Sequence, residues 1–137
     1  MAQSINVTYE QLIAEAEAEI ETISVEQAKA LLNDDGYVFV DIRDIRELDR
    51  QGRVPGAVHA PRGMLEFWVC PTSPYHRDVF AQDKTFIFFC AAGWRSALAT
   101  QQVQRMGMSP VAHIAGGFTA WKEGGGAVET STETDRD

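Results

Sequence analysis

The chain has 137 residues, 45% of them apolar, and a formal net charge of −8. That length suits one domain around one core, two cysteines are too few for a disulfide framework, and no run approaches the ~20 apolar residues of a membrane span. The charge sits at the ends: residues 1–23 hold Glu10, Glu15, Glu17, Glu19 and Glu21 with no Lys or Arg, residues 124–137 are acidic apart from Arg136, and the middle is balanced. No basic excess exists to displace counterions, so nucleic acid is not an expected partner. Met1 to Val7 lacks the basic start and apolar stretch of a leader peptide, which leaves a cytoplasmic protein without a membrane partner as the expectation. A reactive thiol persists in such a reducing compartment.

Taken in order, the elements alternate. Thr8 with Gln11 has the form of a capping box, and Leu12, Ile13, Ala16 and Ile20 follow as an apolar stripe at helical spacing. An isolated helix of this length is marginal in water, so the stripe needs cover, from this domain or from a second copy in a homodimer. Ser24 with Gln27 opens a second helix through Ala28, Leu31 and Leu32, stopped near Asp34-Asp35-Gly36. Tyr37 to Ile42 reads as a buried strand, Arg43 to Gln51 as a short helix, and Val58 to Ala60 as a brief strand ended by Pro61. Met64 to Val69 is a helical turn, and the proline-bearing stretch from Cys70 to Lys84 is a loop. Thr85 to Phe89 is the central strand, Ser96 to Met106 a helix, Pro110 to Ile114 a strand, and Phe118 to Lys122 a last helix. Strands apolar on both faces, alternating with helices, predict an α/β fold whose parallel sheet is covered on both sides. The expected organisation is an acidic helical extension over 1–23, a domain over 24–124, and a disordered acidic tail over 125–137.

The chemistry concentrates where the apolar run Phe86 to Phe89 meets Cys90. Ala91, Ala92, Gly93, Trp94, Arg95 and Ser96 follow as a short loop that leads into a helix. A strand–loop–helix turn can aim consecutive backbone N–H groups at one point, with the helix N-terminus adding partial positive charge. Such a point favours a thiolate, and hence a nucleophile. Gly93 lets the loop take positive φ or approach the sulfur closely. For Arg95 two readings stay open, a planar donor for an anionic substrate or a brace for the loop. Asp41 ends a strand and is expected to anchor loop N–H groups, and it and Arg43 beside it are candidate pocket residues. His59 reads as a satisfied near-core side chain and His76 as an exposed one. With His113 they lack metal-ligand spacing to the cysteines, so no metal is expected.

Four motifs in register give the chain a resemblance to the rhodanese-like domain family. Val40-Asp41-Ile42-Arg43 with Glu47 is similar to the family's D-x-R…E start, and Gly52-Arg53-Val54-Pro55-Gly56-Ala57-Val58-His59-Ala60-Pro61 to its G-H-I-P-G-A turn, with Arg53 in the place of the usual histidine. Cys90 to Ser96 matches C-x-x-G-x-R-S, and Gly116-Gly117-Phe118 with Trp121 matches the closing G-G-x-x-x-W. The resemblance implies a five-stranded parallel sheet, with the active loop at the carboxyl end of its central strand. It also implies sulfurtransferase activity: Cys90 takes sulfane sulfur from a small donor such as thiosulfate or a persulfide. A thiol, cyanide or a protein acceptor then receives it. No cofactor is implied, the intermediate being a covalent persulfide on Cys90.

Three departures bear on substrate. Ala91 and Ala92 are uncharged where thiosulfate-preferring relatives carry basic residues, and Trp94 adds apolar surface that suits a bulkier or protein-borne partner. The long segment from Glu66 to His76 is expected to rim the pocket. A regulatory module that carries persulfide or binds a protein is the alternative function. A phosphatase on the same fold is a third, set against four residues between Cys90 and Arg95 where such phosphatases resemble C-x-x-x-x-x-R. A disulfide between Cys70 and Cys90 stays open, since it needs the two Cα atoms within ~7 Å.

Overall fold

Three capping boxes open three of the helices. Thr8 accepts from the Gln11 N–H ahead of α1 (Tyr9–Glu19), Ser24 from the Gln27 N–H ahead of α2 (Val25–Leu31), and Asp44 from the Arg46 N–H ahead of α3 (Ile45–Gln51), where Glu47 reaches back to the Asp44 N–H. A computed structural model describes residues 2–130 of the chain. Its strands are β1 (Glu21–Ile23), β2 (Tyr37–Asp41), β3 (Val58–His59), β4 (Thr85–Phe89) and β5 (Val111–Ile114). The remaining helices are α4 (Leu65–Val69), α5 (Trp94–Arg105) and α6 (Gly117–Glu123).

All pairings are parallel, in the order β1-β5-β4-β2-β3. The expected five-stranded α/β sheet is therefore the observed one, with β4 at its centre. On one face Phe86, Phe88 and Cys90 pack with Leu65, Val69, Ala99 and Val103 of α4 and α5. On the other, Ile87 and Phe89 pack with Ala28 of α2 and with Phe118 and Trp121 of α6. Burial on both faces is why β4 reads as an unbroken apolar run. Connections leave β2 toward β3 but leave β4 toward β5, so the order reverses between β2 and β4. In an open parallel sheet the crevice at the carboxyl ends of such a pair is the favoured place for a site.

Several expectations need correction. The segment 1–23 supplies more than a helix, because Glu21–Ile23 pairs with β5 as an edge strand. Only Ile23 of its three residues is buried, which is too little to show a period of two. The α1 stripe is covered within the chain: Ala16 and Ile20 pack on Ala97 of α5, with Ile13 alongside, while Leu12 remains 44% exposed. The tail is not loose from residue 125. Arg53 and Glu129 exchange backbone hydrogen bonds at 2.8 and 2.9 Å, and the Trp121 indole donates to the Ala127 carbonyl at 2.8 Å. The rest of the expected tail, 131–137, lies outside the described residues. Within the expected loop, Asp78–Ala81 forms a 3-10 turn that buries Phe80. No helix among the described residues is long and apolar enough to cross a membrane, and among them no cluster of His, Cys, Asp or Glu is placed to hold a metal ion.

Candidate active site

Helix α5 starts at Trp94, two residues before the sequence reading placed it, so the loop proper is Ala91, Ala92 and Gly93. Gly93 caps the helix at φ 104°, a conformation that costs a side-chain-bearing residue strain. This left-handed turn folds the chain back over the end of β4. The Gly93 N–H donates to Cys90 Sγ at 3.2 Å and the Ser96 N–H at 3.3 Å. Two of the expected loop N–H groups thus converge on the sulfur, at the positive end of a twelve-residue helix. Cys90 is only 1% exposed, so its sulfur sits at the floor of this cradle.

The cradle is held from two sides. Behind it, Phe118 N–H donates to the Cys90 carbonyl at 2.7 Å and Thr119 N–H to the Ala91 carbonyl at 3.0 Å, so the first turn of α6 ties down the loop. Gly117, at φ 60°, lies so close to those carbonyls that a Cβ there would collide with both. That contact gives a physical reason for the paired glycines of the fourth motif. In front, Arg95 makes a two-pronged ion pair with Glu47 of α3, Nη1 to Oε1 at 2.8 Å and Nη2 to Oε2 at 3.0 Å. The pair spans the β2/β4 crevice. Hydrogen bonding to Glu47 holds the Arg95 guanidinium above its ordinary value, and Arg95 holds the Glu47 carboxyl below its own. In this arrangement Glu47 engages both terminal nitrogens of Arg95.

Asp41 and Arg43 are brought to the same end of the sheet but turn away from any pocket. Arg43 is 0% exposed and Asp41 1%. The guanidinium donates to both Asp41 carboxylate oxygens, with Nη2 at 2.6 Å from Oδ2, and to the Gly52 carbonyl at 2.9 Å. It also lies 4.1 Å over the Phe118 ring. Asp41 further accepts the Arg43 N–H, which is the anchoring expected of it. The candidate pocket residue is thus a buried strut, because a charge at that depth needs a partner and has one. His59 meets the Arg43 carbonyl at 2.7 Å, as a satisfied side chain should.

Trp94 stands on the outer side of α5, 56% exposed, with its ring 4.8 Å from that of Tyr9 in α1. Ala91 is half-buried and Ala92 exposed. The Glu66–His76 segment does not rim this cradle along its length. Phe67, Cys70, Pro74 and Tyr75 line an apolar groove of about 530 Å³ together with Met106, just past the far end of α5. Twelve helical residues put that end ~18 Å from the Cys90 loop. Both cysteines are free, and that separation is well beyond disulfide reach. Cys70 has its own partner, the Thr72 hydroxyl at 3.3 Å, and this contact draws the thiol below its ordinary value.

Sequence reasoning missed the partner of Arg95, although Glu47 was visible in the first motif. It also passed over His113, which is 1% exposed on β5 with Nδ1 at 2.9 Å from the Ser96 hydroxyl. No local pattern marks it, because it meets the loop only through strand pairing.

A cysteine at the carboxyl end of a central parallel strand, under a turn of inward N–H groups and a helix start, defines a thiol-centred α/β site. The rhodanese-like domain model matches residues 24–124, and the chain belongs to that family. Thiosulfate sulfurtransferase/rhodanese-like domain-containing protein 3 of Mus musculus is 26% identical over 104 residues; the match covers 72% of this chain and 66% of that protein's length. Rhodanese-like domain-containing protein 17 of Arabidopsis thaliana is 32% identical over 114 residues, covering 77% of this chain and 70% of the relative. Among solved structures, a protein of unknown function and possible tyrosine phosphatase from Rhodopseudomonas palustris superposes with a TM-score of 0.91 at 48% identity, covering 94% of this chain and 99% of that one. The thiosulfate sulfurtransferase of Pseudomonas aeruginosa shares the fold at a TM-score of 0.68 and 20% identity, covering 82% of this chain and 20% of that one.

Proposed function

We propose that the protein is a sulfurtransferase that carries sulfane sulfur as a persulfide on Cys90. The supporting observation is the convergence of the Gly93 and Ser96 N–H groups on Cys90 Sγ. Donors aimed at one sulfur stabilise the negative charge it carries as thiolate or leaving group, as an oxyanion hole does for oxygen. The Cys90 thiolate attacks the outer sulfur of the donor, and the donor's S–S bond breaks to release sulfite from thiosulfate or a thiolate from a persulfide. A thiolate or cyanide then attacks the terminal sulfur, and Cys90 leaves as thiolate. No outside oxidant or reductant enters. With Arg95 engaged by Glu47 and Ala91 and Ala92 uncharged, the loop offers thiosulfate little free positive charge, which favours a persulfide donor.

Likeness to a possible tyrosine phosphatase favours a second reading, phosphoryl transfer. Against it stand the four residues between Cys90 and Arg95 and the occupied state of that arginine, since a phosphoryl group presents three oxygens to be held by free donors. Intact-protein mass spectrometry after incubation with thiosulfate or a low-molecular-weight persulfide tests the proposal. Gain of one sulfur atom, mapped to Cys90 and lost on adding cyanide, is the expected result. No loading by any donor would leave a protein-binding module, and Cys90-dependent hydrolysis of an aryl phosphate would promote the phosphatase.

A further inference from the structure

Beneath the loop a chain of polar side chains runs from Cys90 to the surface. Ser96, 0% exposed in the first turn of α5, places its hydroxyl 3.6 Å from Cys90 Sγ as an acceptor for the thiol S–H. The same hydroxyl is 2.9 Å from His113 Nδ1. His113 Nε2 lies 3.1 Å from the Thr22 hydroxyl on β1 and 3.9 Å from the Glu17 carboxylate on α1, both exposed residues. A buried imidazole is ordinarily satisfied by one carbonyl or water. This one links a nucleophile on one side with a solvent-facing carboxylate on the other.

The geometry points to Ser96 and His113 as a proton relay for Cys90, with Glu17 as its outlet. The inference rests on Cys90 being the reacting thiol of the proposed function. The Ser96 hydroxyl lies 3.4 Å from the Gly93 carbonyl and 2.9 Å from Nδ1; the relay uses the state in which its proton turns to the nearer Nδ1, its oxygen accepts from Cys90 S–H, and Nε2–H donates to Thr22. The Cys90 proton passes to the Ser96 oxygen and the serine proton to Nδ1, which leaves the thiolate that attacks the donor's outer sulfur. The products are a persulfide anion, the departing sulfite or thiolate, and an imidazolium facing Glu17. The proton returns to solvent by way of Glu17 or to Cys90 at the end of the cycle. Burial lowers the pKa of His113 below its ordinary value while Glu17 opposes the shift, so the imidazole is neutral at pH 7 and free to accept. The groups facing it are Ser96 from α5, Thr22 from β1 and Glu17 from α1, with Cys90 one step beyond. Ser96 touches the reacting sulfur, whereas His113 acts through it and is a positioning residue.

Alkylation of Cys90 by iodoacetamide, followed against pH by peptide mass spectrometry, tests the relay without any sulfur donor. In the intact chain the rate should fall on an acid limb set by the Cys90 thiol together with protonation of His113. His113→Asn keeps an acceptor within reach of Ser96 but no base. With Ser96→Ala, it should lower the rate at pH 7.5 by ~10–100-fold, around the lower end of what positioned proton acceptors contribute, and leave only the limb of the unassisted thiol, displaced to higher pH. Cys70 alkylation in the same sample should stay unchanged. If the His113 variant fails to fold, Glu17→Gln at the exposed end carries the test. Loss of that carboxylate destabilises the imidazolium and should move the acid limb to lower pH. Superimposable Cys90 profiles in folded His113→Asn, or an unmoved limb in Glu17→Gln, would overturn the relay. Histidine-dependent alkylation in a chain that loads no sulfur would keep the relay and remove the sulfurtransferase reading.

Discussion

The two cysteines occupy opposite ends of the same helix and share nothing but their side chain. Cys90 lies at the N-terminal end of α5, buried, with two backbone N–H groups on its sulfur and a brace on each side. Cys70 lies past the C-terminal end, partly exposed beside an apolar groove, with one side-chain contact from a residue two places along. The hydroxyl beside Cys70 draws that thiol below its ordinary value. What separates them is preorganisation. The Cys90 donors are backbone groups fixed by a sheet and two helices, and they need no reorganisation when charge develops on sulfur.

The widest gap between the two regions should appear on removing each sulfur. Cys90→Ala is expected to bring sulfur transfer to background while the melting transition stays cooperative, because the cradle persists without its nucleophile. A variant that still transfers sulfur from thiosulfate to cyanide would end the assignment.

Glycines next to each region offer the next contrast. Gly117→Ala drives a Cβ into the Cys90 and Ala91 carbonyls at a φ of 60°, and should cost about 2–4 kcal/mol in denaturant unfolding, together with most of the activity. Gly63, just before α4, has open space where a Cβ would stand, and Gly63→Ala should stay within about 0.5 kcal/mol. Equal losses would mean that α6 does not hold the loop.

Smaller still is the effect of the front brace. Glu47→Gln leaves Arg95 one neutral acceptor in place of a carboxylate, and should lower kcat/KM by about 3–10-fold for thiosulfate and for a persulfide donor alike. A rise in KM confined to thiosulfate would return Arg95 to the role of substrate ligand. The same pair sets a pH dependence. Glu47 has its folded pKa held down by Arg95, so its contribution is present above the unfolded carboxyl value and lost as pH falls through the folded one. His113, also depressed, favours folding above its unfolded value and loses that advantage on acidification below it. Between pH 7.5 and pH 4 the melting temperature should therefore fall, and by about 2–4 °C less in Glu47→Gln.

Least of all should follow from Cys70→Ala, within about twofold of the intact chain in sulfur transfer at every pH. A larger loss would tie the groove at the far end of α5 to the cradle.

Most of the fold, and the place of Cys90 at the end of the central strand, were legible in the sequence, because both are written in local pattern. Burial on both faces makes Phe86 to Phe89 a continuous apolar run, and helix starts need side-chain acceptors, so Thr8 with Gln11 and Ser24 with Gln27 mark them. A positive-φ turn before a helix selects Gly93, three residues after Cys90. The edge strand β1 escaped notice, since one buried residue in three makes no pattern. The pairing of Arg95 with Glu47, Arg43 as a buried strut, and the link from Ser96 to His113 were decided only in three dimensions. Each depends on which side chain a distant segment brings within about 3 Å: Glu47 from 48 residues away, His113 from 17. Hydrogen-bond energy depends on that distance and on angle, neither of which a linear spacing carries. The place of Cys90 was thus determined by the chain's local order, whereas the groups that hold its loop were set by how the strands and helices pack.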